Sequence, residues 1–126
     1  MKIKNEIDVM FFNVEAGLAP RVIKIDAENL EAIKTLIGCR TIDIVRRPIG
    51  GKKFCIVCDD EALLRKEIPP VSIYSRDSYQ RVFGNIIIAC ESGDELASIS
   101  NIDKLRIDMS LGTIITDTSR YVLVSR

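Results

Sequence analysis

Two short runs, Phe54-Cys-Ile-Val-Cys58 and Ile86-Ile-Ile-Ala-Cys90, are apolar at consecutive positions rather than at every second one. A strand turns alternate side chains to opposite faces, so a strand apolar on both faces must be covered on both. These two runs are therefore expected as strands covered on both sides or lying centrally in a sheet. With 126 residues and 47% hydrophobic composition, the chain has material for one core and not two. The expectation is a single domain spanning residues 1–126.

The remaining elements are arranged around those strands. Residues 7–14 and Arg21–Asp26 read as a hairpin, turned by the segment from Gly17 to Pro20. From Ala27 the period changes to helical, with Leu30, Ile33 and Ile37 at i, i+3 and i+7. Asp26 is placed to cap that helix, Gly38 to end it, and its three stripe residues are expected to be buried against the sheet. A strand through Arg40–Arg47 is expected to pair with one through Lys52–Cys58 after a break at Pro48–Gly51. A helical turn is expected at Glu61–Lys66, then an extended connection enforced by Pro69 and Pro70. The segment Glu91–Glu95 reads as a turn. Ser100 and Asp103 resemble a capping box opening a short helix through Met109, with Ile102, Leu105 and Met109 at helical spacing and Gly112 to end it, and the tail reads as a hairpin around Asp117–Ser119. The order β-β-α-β-β-β-α-β-β is that of an α+β domain: a mainly antiparallel β-sheet with two helices packed on it.

Chemistry is concentrated in the stretch Tyr74–Asn85, YSRDSYQRVFGN, where aromatic rings, two arginines and an amide stand close together. Rings stack on flat bases and guanidinium forks hold phosphate, so this is the composition of a pocket for a flat anionic small molecule. Tyr74, Tyr79 and Phe83 are the stacking candidates, with Phe83 open to a core role. Arg76, Arg81, Arg106 and one of Arg46 and Arg47 are the phosphate candidates. Arg46 and Arg47 are adjacent on a strand and point to opposite faces, so only one lines a given pocket; Arg47 is taken as the candidate. Asn85 reads either a ribose or base edge or its own turn backbone.

Other candidates point away from catalysis. Cys55 and Cys58 form a CxxC, but inside a strand positions i and i+3 lie on opposite faces, which suits core thiols better than metal ligands. Asp59, Asp60 and Glu61 have the charge to chelate a hard cation and support a nucleotide hydrolase, yet consecutive acids after a strand suit a solvated turn. The chain has no histidine. No catalytic residue, metal or cofactor is assigned. Lys and Arg total 18 against 18 Asp and Glu, so no overall field holds a nucleic-acid polymer. No run approaches the ~20 apolar residues of a membrane helix, and the opening MKIKNEIDVMFF is interrupted by Asn5, Glu6 and Asp8, so neither a membrane span nor a signal peptide is expected. Four cysteines in or beside apolar segments fit reduced thiols in a cytoplasm.

From Arg21 to Ile107, the succession RVIKID, NLEAIKTLIG, TIDIV, KFCIVCDDEALL, the Pro-Pro connection, VFGNIIIA and SNIDKLR resembles small phage and mobile-element proteins carrying a domain of unknown function. It is also similar to the Thoeris anti-defence protein one family. That resemblance implies a homo-oligomeric sponge in the host cytoplasm. Such a sponge binds cyclic ADP-ribose isomers, and in some members cyclic oligonucleotides, without cleaving them. The proline segment IPPVSIY and the C-terminal hairpin depart from the commoner pattern of the uncharacterised proteins. The alternative class is a protein-binding inhibitor or adaptor acting on a host or phage protein through a sheet edge.

Overall fold

The computed structural model describes residues 6–75, 80–114 and 120–125. Its strands are β1 (Glu6–Phe12), β2 (Arg21–Asp26), β3 (Ile42–Ile49), β4 (Lys52–Asp59), β5 (Val71–Ser75), β6 (Arg81–Phe83), β7 (Ile86–Ser92), β8 (Glu95–Ala97), β9 (Leu111–Ile114) and β10 (Arg120–Ser125). The helices are α1 (Leu30–Ile37) and α2 (Asn101–Met109), with short 3-10 turns at Val14–Ala16 and Ala62–Leu64. The chain is α+β, as its alternation between period two and helical spacing predicts.

The strands divide into two sheets. The larger has the order β2-β1-β7-β4-β3, with β8 paired to β7; the smaller has the order β6-β5-β10-β9. The doubly apolar runs occupy β4 and β7, next to each other inside the larger sheet, where Phe54, Ile56, Val57 and Ile86 to Ala89 are buried. One face of that sheet carries Ile7, Val9, Phe11, Val57, Ile87 and Ala89 against Ile33 and Ile37 of α1. The other carries Met10, Phe12, Ile56, Ile86 and Ile88 against Ile73, Val82 and Leu123 of the smaller sheet and Ile107 of α2. Burying one large aliphatic side chain contributes about 1.5–3 kcal/mol, so the two faces together are the main source of stability.

Several boundaries differ from the sequence reading. The cap of α1 is Asn29, whose side-chain oxygen accepts from the Ala32 N–H at 3.1 Å; Asp26 instead closes a turn by accepting from the Glu28 N–H at 3.0 Å. The helix therefore starts at Leu30 rather than Ala27, and Leu30, in the first turn, remains 53% exposed while Ile33 and Ile37 are buried. Gly38 ends it as expected, in the left-handed region at φ 84°. Pro48 lies inside β3 rather than breaking it, which an edge strand tolerates.

The connection after Pro70 contains β5 and β6, and the turn at residues 91–95 holds the β7–β8 pair. On α2 the capping box of Ser100 and Asp103 is present and the helix runs through Met109 as expected, but Ser110 is its cap and Gly112 lies in β9. The buried positions of α2 are Asp103 and Ile107; Ile102, Leu105 and Met109 point outward. The tail hairpin forms as β9 and β10, and its expected turn at Asp117–Ser119 lies outside the described residues. Among the described residues no helix is long and apolar enough to cross a membrane.

Candidate functional site

The described residues of the segment richest in chemistry lie in and beside strands β5 and β6 of the smaller sheet. Pro69 and Pro70 deliver an extended chain into β5, and a register irregularity between Val71 and Ile73 adjusts its pairing with β6. The Ser72 hydroxyl, fully buried, donates to the Val82 carbonyl at 3.0 Å. This registry sets Tyr74 opposite Arg81, with the guanidinium carbon 5.7 Å from the ring centroid. That is within cation–π range. Tyr74 is half-buried and Arg81 exposed, so an aromatic ring with a guanidinium over it stands at the surface.

Phe83 is half-buried opposite Val71. Next to it, Gly84 holds φ 84°, donates to the Pro70 carbonyl at 2.8 Å, and sits close to Pro69: a Cβ there would lie a tight 3.3 Å from Pro69 Cγ. The turn needs glycine for both reasons. Arg76 and Tyr79 lie outside the described residues.

The remaining candidates are held by other elements. Asn85 Oδ1 accepts from the Glu15 N–H at 3.1 Å and its Nδ2 donates to the Ile37 carbonyl at 3.4 Å, tying the first 3-10 turn to the end of α1. Arg106 donates to the Gly50 carbonyl at 2.8 Å, fastening α2 to the β3–β4 turn. Arg46 and Arg47 do face opposite ways, being paired with Cys55 and Phe54 respectively. Arg46 binds the Glu91 carboxylate through Nε at 2.9 Å and through its terminal nitrogen. Arg47 lies on the face shared with the smaller sheet. It donates to the Arg46 carbonyl at 2.9 Å, while its buried Nε has no hydrogen-bond partner among the described residues. An unsatisfied buried donor is rare enough to mark a position for an anion or an acceptor.

Of the sequence candidates, then, the structure joins Tyr74 to Arg81 directly and sets Phe83 on the same ribbon. No described contact links Arg47, Asn85 or Arg106 to that pair.

The cysteines follow the face argument. Cys55 and Cys58 are both buried on opposite sides of β4; the Cys55 thiol donates to Glu91 at 3.1 Å and that of Cys58 faces the Asp43 carbonyl at 3.6 Å. Burial, reinforced by Glu91, raises the Cys55 thiol to about 11, and burial with the nearby Asp43 raises Cys58 to about 12. The acidic run is also engaged: Asp59 accepts from the Glu61 N–H at 2.8 Å, and Glu61 accepts from Arg40 and from the Thr41 hydroxyl at 3.0 Å. Arg40 and Thr41 hold the Glu61 carboxyl below its ordinary range.

One polar cluster escaped the sequence reading. Asp103, buried in α2, accepts from Lys52 Nζ at 2.7 Å, from the Ser100 N–H at 2.8 Å and from the Cys90 thiol at 3.2 Å. Burial pushes its pKa up, but the Lys52 ammonium and these two donors outweigh burial and hold it well below the carboxylate range. The capping box signals Asp103; nothing local signals Lys52, 51 positions earlier.

No curated protein and no solved structure matches the chain. One family model does match, over residues 8–109: Domain of unknown function (DUF3846).

Proposed function

The chain belongs to the DUF3846 family, a domain of unknown function, and we propose that it captures a small cyclic nucleotide without cleaving it. The observation that carries the reading is the Tyr74–Arg81 pair, a guanidinium held over an aromatic ring on the β5–β6 ribbon. A base stacks on such a ring for about 1–3 kcal/mol, and a phosphate on such a guanidinium adds about 1.5–3 kcal/mol. Arg47 supports it with a buried N–H that lacks an acceptor among the described residues. The resemblance of the order of its sequence elements to the Thoeris anti-defence protein one family suggests the ligand class: cyclic ADP-ribose isomers first, cyclic oligonucleotides second. It also suggests the role, sequestering an immune signal in the host cytoplasm as a homo-oligomer. The outward face of α2, with Ile102, Leu105 and Met109 in water, is surface available to such an assembly.

Calorimetric titration with cyclic ADP-ribose isomers and cyclic trinucleotides tests this. Arg81→Ala and Tyr74→Ala should each weaken binding about tenfold to a hundredfold with the fold intact. Arg76→Ala and Tyr79→Ala belong in the same series. Unchanged affinity in all four variants removes this segment from the site, and no heat from the parent chain favours the protein-binding alternative.

A further inference from the structure

The larger sheet carries a second surface, on the side of α1 and away from the smaller sheet. A groove of about 230 Å³ runs between the start of α1, the β3–β4 surface and the β7–β8 turn. Its floor is apolar, formed among others by Leu30, Ile33, Ile44 and Val57, and two of these large side chains stay open to water, Leu30 at 53% and Ile44 at 41% exposed. Its rim is acidic: Glu28 from the turn before α1, and Asp94 and Glu95 from the β7–β8 turn. No basic residue lines it. Among the described residues none of the three carboxylates has an ion-pair partner. The cation nearby on this face, Arg46, is taken by Glu91.

These features disfavour an anionic ligand, so the groove is distinct from the nucleotide site. It is also smaller than the roughly 300–1,000 Å³ of small-molecule pockets, and suits one or two side chains. Apolar floor and unpaired acidic rim, contributed by separate elements on either side, together specify an apolar side chain flanked by cations. We propose that this groove docks a segment of a partner protein in which leucine, isoleucine or methionine alternates with lysine or arginine. Apolar contacts to Leu30 and Ile44 anchor it, and Glu28, Asp94 and Glu95 fix its placement and reject acidic segments.

The test is fluorescence anisotropy of the full chain with a short fluorescein-labelled peptide alternating lysine with leucine and isoleucine. Two control peptides carry glutamate for lysine, or serine for the aliphatic residues. The lysine–leucine peptide should bind, lose affinity as salt rises, and outcompete both controls. Ile44→Ser should weaken it about tenfold, as should Glu28→Gln combined with Asp94→Asn and Glu95→Gln. These side chains are partly or fully exposed, so circular dichroism should show both variants folded, and nucleotide titration should be unaffected in either. Equal binding of the glutamate or serine peptide, unchanged affinity in both variants, or no binding of the lysine–leucine peptide would overturn the proposal.

Discussion

Asp103 is 3% exposed in the structure, and its charge depends on three donors from three different segments. Replacing it by asparagine keeps an acceptor for the Ser100 N–H but leaves Lys52 without its anion. Lys52 is 43% exposed, so solvent screens part of the loss. Urea unfolding at pH 7 should show Asp103→Asn destabilised by about 1.5–3 kcal/mol. Because the folded carboxyl titrates below its unfolded value, its contribution is complete above a pH of about 4 and fades as acid is added below that. The parent chain's melting temperature should therefore fall below about pH 4, and the variant's should fall less steeply. The thiols make an independent statement at the same scale. With Cys55 raised to about 11 and Cys58 to about 12, both should stay unmodified by iodoacetamide in the native chain near pH 8 while the half-buried Cys39 is modified faster. Mass spectrometry of tryptic peptides reads this out, and rapid labelling of Cys55 and Cys58 would contradict their place in the core.

At the scale of elements, α1 separates what a periodic pattern can and cannot say. Spacing alone groups Leu30 with Ile33 and Ile37, but burial requires the helix to be fully wound over the sheet, and the Asn29 cap puts Leu30 in its first turn. Ile33→Ala should cost about 2–5 kcal/mol in unfolding free energy, and Leu30→Ala much less, since half of that side chain is already in water. Asn29→Ala should cost about 1 kcal/mol by losing the cap, whereas a cap at Asp26 would leave it neutral. On α2 the same reasoning inverts the pattern. Ile102, Leu105 and Met109 share a stripe, yet the helix is held by Asp103 and Ile107 from another side. A stripe shows that residues share a face without showing which face meets the core.

Across the whole molecule, the legible parts were those set by local rules. The doubly apolar runs had to lie inside a sheet, and they became β4 and β7. The hairpins β1–β2 and β3–β4 are legible because their partner strands follow one another in the chain. The second sheet was not, because its centre is a parallel pairing of β5 with β10, roughly fifty residues apart, and β5 follows two prolines that read as a plain connection. The site divides the same way. Tyr74 and Arg81 were recognisable by type and are brought together by a strand registry, whereas the anchoring of Asn85 to Glu15 and Ile37, and of Arg106 to Gly50, rests on tertiary contacts that no local pattern records. Capture of a cyclic nucleotide without turnover is decided by incubating the chain with cyclic ADP-ribose isomers and cyclic oligonucleotides and separating bound from free. The bound fraction is then heat-denatured and analysed by mass spectrometry. Capture without turnover predicts that one nucleotide is depleted from solution and returned intact on heating; linear or hydrolysed products, or no depletion of any nucleotide, would overturn it.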